Sequence, residues 1–268
     1  MKIAIIGGGN MGSTYAKAFI QSSIIKKENL LIVEKHNDKL EALRTELGIA
    51  IEESIQESIA DYDTIIVAVK PQDFRILAEL LKLSLKPNQL VLSIMAGVTI
   101  DKISNLLSHS NVVRAMPNTP AQLGFGITAF TVAPGSDFSI ISHVDTLLET
   151  TGKAIFMKDE AMLDAVTAIS GSGPAYFYYF VKYMIEAGKQ MGMEEAVATM
   201  LVKQTMLGSF QIINNSKLSL DEMIKMVASK GGTTEAALNS FESSSIGENI
   251  INALKSAEQR AKELSKGA

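Results

Sequence analysis

Cysteine and tryptophan are both absent from the 268-residue chain. Without cysteine there is no disulfide, no thiolate zinc site, no iron–sulfur cluster and no thiol nucleophile. A chain that never relies on disulfides fits a reducing compartment. Histidine is scarce: His36, His109 and His143 lie far apart and in no ligand spacing, so no built-in metal site is expected. Neither sign of charge dominates, with 25 Lys and Arg against 29 Asp and Glu. With no basic cluster, nucleic acid is not expected as a partner. Long hydrophobic runs are missing too. Glycines interrupt the apolar N-terminus almost at once, unlike a signal-peptide core, and no apolar stretch approaches the ~20 residues that span a bilayer. The expectation is a cytoplasmic protein without a membrane partner. What is present, 47% hydrophobic and 20% charged residues, excludes disorder and is enough for one large or two modest domains.

Short apolar runs alternate with helical patterns in the first part of the chain. Strands are expected at 2–7, 30–34, 64–69, 90–95, 112–116, 127–133 and 154–157, and helices at 11–21, 38–47, 72–83, 100–107 and 139–150. Continuous Ile/Val runs mark strands buried on both faces, as in a parallel sheet covered by helices. The alternation predicts an α/β fold with a doubly wound, mostly parallel, Rossmann-type sheet. Asn37 can cap the second helix and Gly48 can stop it, and Thr99 can cap the helix at 100–107. After about residue 158 strand-like runs cease. Ile246, Ile250, Leu254, Ala257, Ala261 and Leu264 recur at helical spacing with charged residues between them. The chain therefore reads as a dinucleotide-binding domain at 1–158 and an all-helical second domain at 159–268.

The first strand runs into Gly7-Gly8-Gly9-Asn10-Met11-Gly12, a G-x-G-x-x-G match that follows a strand and opens a helix. In that setting the first glycine permits the tight turn, the second lets backbone approach a pyrophosphate, and the third lets helix and sheet pack closely. The phosphates are expected at the positive end of the helix. The second strand ends at Glu34-Lys35-His36, where an acid can accept the ribose 2′-OH and disfavour a 2′-phosphate. Lys35 acts in the opposite sense, so NADH and NADPH both stay open as cofactors. Val69-Lys70-Pro71, Ala96-Gly97 and Asn118 fall at the ends of later strands, the rim where such sheets bind ligands. Asn118 is equally able to serve as a turn residue.

In the second domain, Ser170-Gly171-Ser172-Gly173-Pro174 opens a helix that Ser172 or Gly173 can cap and whose free N–H groups could bind an anion. The aromatic run Tyr176–Phe180 covers every face of that helix and reads as core or as a subunit interface. The stretch Ser229-Lys230-Gly231-Gly232-Thr233-Thr234 offers two glycines, two terminal hydroxyls and a helix start. It can be either a cap or a substrate loop.

Taken together, Gly7–Gly12, Ala68–Pro71, Met95–Gly97, Arg114–Pro120, Ser170–Tyr176 and Gly231–Thr234 resemble, in order and spacing, the pyrroline-5-carboxylate reductase family over nearly the whole chain. The resemblance implies reduction of 1-pyrroline-5-carboxylate to L-proline with NADPH or NADH, the last step of proline biosynthesis. It implies that Gly7, Gly9, Asn10, Met11 and Gly12 hold the dinucleotide phosphates, and that Val69, Lys70, Pro71, Ala96 and Gly97 line ribose and nicotinamide. Gly231, Gly232, Thr233 and Thr234 would receive the substrate, with the Thr234 hydroxyl near the ring nitrogen and backbone N–H groups on the carboxylate. It further implies a homodimer or a larger ring of dimers, with active sites drawing on two chains. Two departures stand out: Lys230 replaces a usual proline, and Asn214–Leu218 lacks a common Gly-Lys-His-Pro run. The rivals are a β-hydroxyacid dehydrogenase, disfavoured because Lys182-Tyr183-Met184-Ile185 lacks that family's asparagine, and a dinucleotide-binding protein without turnover.

Overall fold

The computed structural model describes residues 1–267; Ala268, the last residue of the expected second domain, lies outside them. The chain divides into two compact units, Met1–Gly173 joined by the C-terminal stretch from Ala257, and Pro174–Ser256. Strands end at Phe156, but the division falls later because the helical turns that follow still pack on the sheet.

In chain order the first unit contains β1 (Ile3–Ile6), α1 (Asn10–Gln21), β2 (Leu30–Val33), α2 (Asn37–Leu47), β3 (Ala50–Glu52), β4 (Thr64–Val67) and α3 (Pro71–Ser84). It continues with β5 (Leu90–Ser93), α4 (Ile100–Leu107), β6 (Val112–Met116), β7 (Gly126–Val132), α5 (Phe138–Glu149), β8 (Gly152–Phe156) and α6 (Met162–Val166). The strands form one sheet in the order β3-β2-β1-β4-β5-β6-β7-β8, parallel except where β7 runs against β6. The cause is visible in β1, β2, β4 and β5, whose residues are buried without exception. Ile3 and Ile5 face a core closed by Tyr15, Phe19 and Leu147, while Ala4 and Ile6 face one closed by Phe74, Ala78 and Ile103. Each strand thus needs a helix layer on both sides, which is the doubly wound arrangement.

Boundaries differ from expectation in informative ways. β3 has only three residues of mixed polarity and carries no strand signal of its own. Asn37 is the first residue of α2 and His36 occupies the cap. Gly48 ends α2 in the left-handed conformation, and the Thr99 hydroxyl accepts the Lys102 N–H at the start of α4. Because the chain turns out from β1 to β2 and β3 and then returns to place β4 beside β1, the sheet has a switch point between β1 and β4. Their C-terminal ends leave the crevice in which such sheets bind ligands.

The second unit is helical: α7 (Gly173–Gln190), α8 (Glu195–Asn215), α9 (Leu220–Val227), α10 (Thr233–Ser243) and the start of α11 (Ile246–Gly267). Gly188 lets α8 approach α7, since a Cβ there would lie 2.9 Å from that of Ala198. α8 corrects one expectation: by length and composition it is apolar enough to cross a membrane, and most of it is exposed in the single chain. For the aromatic helix only the core alternative falls away. Phe177, Tyr178, Tyr179 and Phe180 are 45–65% exposed and are no part of a single-chain core.

Candidate active site

The crevice is built by its glycines. Gly7, directly after β1, adopts φ +106°, and a Cβ on it would lie 2.7 Å from the Ala68 carbonyl oxygen beyond β4. Backbone alone fits between the two strand ends. A Cβ on Gly12 would run into the Gly7 carbonyl, so α1 begins hard against the turn. Gly9 is the opposite case: an added Cβ would meet nothing within 4 Å, which leaves its face open toward the cleft. The first intrahelical bond of α1 runs from the Ser13 N–H to the Gly9 carbonyl at 2.9 Å. The N–H groups of Asn10, Met11 and Gly12 therefore have no helical carbonyl to reach. No acidic residue occupies that first turn. A positive helix end beside a bare glycine fits a pyrophosphate.

The cleft has a volume of about 390 Å³, and its lining includes Gly7, Gly9, Glu34, Lys35, Val69 and Lys70, six of the residues singled out from sequence. Asn10, Met11 and Gly12 form the adjoining turn of α1, and Pro71 is the first residue of α3, with Lys70 as its cap. Ala96 and Gly97 follow β5. Gly97 is buried at φ +71°, and a Cβ there would lie 2.9 Å from that of Leu264 on α11. Asn118 is committed elsewhere. Its amide oxygen accepts the Ile127 N–H at 3.1 Å, its amide nitrogen donates to the Ser170 hydroxyl at 3.2 Å, and it is not among the cleft-lining residues.

Glu34 behaves differently from the expected ribose acceptor. Its carboxylate is 5% exposed and accepts two backbone N–H groups, Gly8 on Oε2 and His36 on Oε1, each at 2.9 Å. It ties the glycine turn to the β2–α2 turn. Sequence reasoning passed over several lining residues: His36, Lys39, Ile55, Ile76 and Leu80. The last two carried a signal. Phe74, Ala78 and Leu81 already fill the buried face of α3, so the exposed Ile76 and Leu80 are apolar side chains left over for the cleft.

Beyond the cleft, Arg114 is buried at the end of β6 with its guanidinium on Glu160 Oε1 at 3.1 Å and Asp164 Oδ1 at 3.0 Å. Glu160 also accepts the Ile100 N–H, and Asp164 accepts the Ser265 hydroxyl. This network fastens the end of α11 to the sheet unit.

In the second unit, Ser229–Gly232 forms the turn between α9 and α10. Gly231 sits at φ +75°, its N–H donating to Glu235 Oε2 at 2.7 Å, and the Gly232 N–H donates to the Ser229 carbonyl at 3.0 Å. Two of the four N–H groups offered by 231–234 are thus engaged. Those of Thr233 and Thr234 open α10, and the Thr234 side chain is half-buried beside them. The other expected anion site is corrected. Residues Thr167–Gly171 form a π-helical turn between α6 and α7, and the Ser172 N–H donates back to the Thr167 carbonyl at 2.9 Å. No fresh helix end opens there, and Ser172 has no cap to make.

Comparison with known proteins agrees with this architecture. Residues 160–264 match the profile described as pyrroline-5-carboxylate reductase dimerisation, and residues 2–97 match that described as NADP oxidoreductase coenzyme F420-dependent. A pyrroline-5-carboxylate reductase from Pseudomonas aeruginosa is 34% identical over 98% of this chain and 96% of the relative. A crystal structure of the Plasmodium falciparum pyrroline carboxylate reductase with NADP bound superposes with TM-score 0.89 at 30% identity, covering 99% of this chain and 98% of that one. The Coxiella burnetii pyrroline-5-carboxylate reductase gives TM-score 0.88 at 31% identity over 98% of both chains. With full-length likeness in sequence and in fold, the chain belongs to the pyrroline-5-carboxylate reductase family.

Proposed function

We propose that this chain reduces 1-pyrroline-5-carboxylate to L-proline with NADH or NADPH, the last step of proline biosynthesis. The observation that carries the reading is the bare glycine cleft at the β1/β4 switch point, in a chain alike from end to end to reductases of this substrate. Gly7, Gly9, Asn10, Met11 and Gly12 hold the pyrophosphate through backbone N–H groups and the α1 dipole. Val69, Lys70, Pro71, Ala96 and Gly97 flank the ribose and nicotinamide, and Ile55, Ile76 and Leu80 offer an apolar wall to the adenine. The bound reduced nicotinamide supplies a hydride.

The turn at 229–234 receives the substrate. The Thr233 and Thr234 N–H groups take its carboxylate, and the Thr234 hydroxyl meets the ring nitrogen. A protonated cyclic imine is already electrophilic, so the chain needs no strong acid at the moment of transfer, whereas a carbonyl becoming an alkoxide needs a donor. What these residues contribute is orientation, an effect worth up to ~7–11 kcal/mol when geometry is ideal. A second copy of the chain covers the exposed aromatic and aliphatic faces of α7 and α8 in a homodimer, itself able to assemble into a ring of dimers. A monomer rarely leaves an apolar surface of that extent in water. A dinucleotide-dependent biosynthetic reductase without cysteine belongs in the cytoplasm.

The test is spectrophotometric. Reduced nicotinamide is consumed when pyrroline carboxylate is added, and none is formed when hydroxy acids are supplied with the oxidised cofactor. Turnover of hydroxy acids, or no turnover with either, overturns the assignment.

A further inference from the structure

We propose that the last turns of α11 position the nicotinamide for hydride transfer, with Leu264 and Ser265 as positioning residues that hold the turn after β5 in shape. The proposal rests on the reductase reading above, in which Ala96 and Gly97 flank the nicotinamide, and deepens it. A glycine at the rim of such a sheet is ordinarily explained by the close approach of a ligand. Gly97 has another cause. It is buried at φ +71°, and the place of its missing Cβ is taken by α11: that Cβ would lie 2.9 Å from the Leu264 Cβ, 3.3 Å from the Leu264 carbonyl carbon and 3.5 Å from the Ser265 nitrogen. Helix backbone therefore lies directly on the turn. Ala96 beside it is only half-buried and is the residue left to meet a ring.

Hydrogen bonds fix the helix in that place. The stretch from Ala257 belongs to the sheet unit, and the Ser265 hydroxyl donates to Asp164 Oδ1 at 2.9 Å, the same oxygen that holds the Arg114 guanidinium at 3.0 Å. Arg114 also holds Glu160 Oε1 at 3.1 Å, and that oxygen accepts the N–H of Ile100, the first residue of α4, at 2.8 Å. The turn is thus pressed by Leu264 at Gly97 and tied down at Ile100, and both restraints lead back to Arg114. Bonds of this kind to a carboxylate are short and directional. The turn itself belongs to neither β5 nor α4, so its shape depends on what packs on it. Orientation is what the chain contributes to an imine that is already electrophilic, and a displacement of about 1 Å costs up to about 100-fold in rate.

Single-turnover kinetics on the full-length protein test this. Enzyme in excess over NADPH is mixed with saturating 1-pyrroline-5-carboxylate, and NADPH deuterated at the nicotinamide C4 marks the phase that is hydride transfer. The rate constant of that phase does not depend on how much of the protein is folded, so a merely structural role would not move it. The double variant Leu264→Ala/Ser265→Ala slows it by about tenfold to 100-fold. Calorimetric titration with NADPH, whose phosphates are held elsewhere, stays within about twofold of the parent. A parental rate constant in the variant, or a slowed one with an equal loss of NADPH affinity, overturns the proposal while leaving the reductase reading standing. No consumption of NADPH by the parent protein removes both.

Discussion

Gly9 and Gly12 sit three residues apart in one motif, yet the structure separates their roles, and replacing each by alanine tests the separation. At Gly9 the backbone has φ −70° and ψ −172°, open to any residue, and an added Cβ meets nothing within 4 Å. Alanine is a poorer helix cap than glycine by about 0.5 kcal/mol, and it restricts the unfolded chain by a similar amount in the opposite sense, about 0.4–1 kcal/mol. Thermal unfolding of Gly9→Ala should therefore match the parent. Its methyl group, however, stands where the phosphates must approach the α1 N–H groups. Losing one charge-assisted bond there, about 1.5–3 kcal/mol, weakens dinucleotide binding by about 10- to 150-fold. At Gly12 the added Cβ collides with the Gly7 carbonyl, a backbone group that no rotamer change can move aside. Overpacking of this kind costs up to about 3 kcal/mol, a fall of roughly 6–12 °C in Tm for a domain of this size. Calorimetric binding and thermal scans on both variants read the two effects separately. Unchanged dinucleotide affinity in a stable Gly9→Ala protein would refute the reasoning.

Three further outcomes follow from single sites. Arg114→Met strands the buried Asp164 carboxylate and should destabilise by about 3–5 kcal/mol in denaturant titration, with much of it recovered when Asp164→Leu is added. Recovery of none would mean that the network carries no uncompensated charge. Tyr15 is fully buried against Thr128, and burial pushes its phenol up to about 12 from 10.0. The folded state then keeps a proton that the unfolded state releases, so this contribution is intact below pH 10 and falls by about 1.4 kcal/mol per unit as pH rises toward 12. Tyr15→Phe flattens that slope, and an equal slope in both proteins would contradict it. Tyr179→Asp on the exposed face of α7 should convert a dimer to monomer in light scattering. A dimer of unchanged dissociation constant would place the interface elsewhere.

The fold was legible where its causes are local. Buried Ile/Val runs, the left-handed Gly48 and the Thr99 cap are each written within a few neighbouring residues, and the structure places them accordingly. β3 was not legible, because three residues with one charge have no periodicity and pair only because β2 offers a free edge. Strand ends expected at Gly7, Glu34 and Val69 fall one or two residues earlier, where the chain leaves the ladder for the cleft.

The site follows the same rule. Gly7–Gly12 was readable because the motif describes its own turn. The direction of Glu34 was not, since one of its partners lies 26 residues away and both are backbone groups that any sequence would supply. Asn118 likewise spends its amide on Ile127 and Ser170, the second 52 residues distant. Ser172 looked like a cap because the π-helical turn before it leaves no sequence signature. The aromatic run of α7 read correctly as apolar on every side, but what covers those sides is not encoded in one helix.

The proposed reaction delivers hydride to the carbon of a cyclic C=N bond. Reduction of 1-pyrroline-5-carboxylate with NADPH deuterated at the nicotinamide C4, followed by mass and NMR analysis of the product, tests it most directly. The product should be L-proline carrying a single deuterium at C5, with yield matching cofactor consumed and both lost together in Thr234→Ala. Cofactor oxidation without labelled proline, or proline labelled at any other carbon, would contradict it.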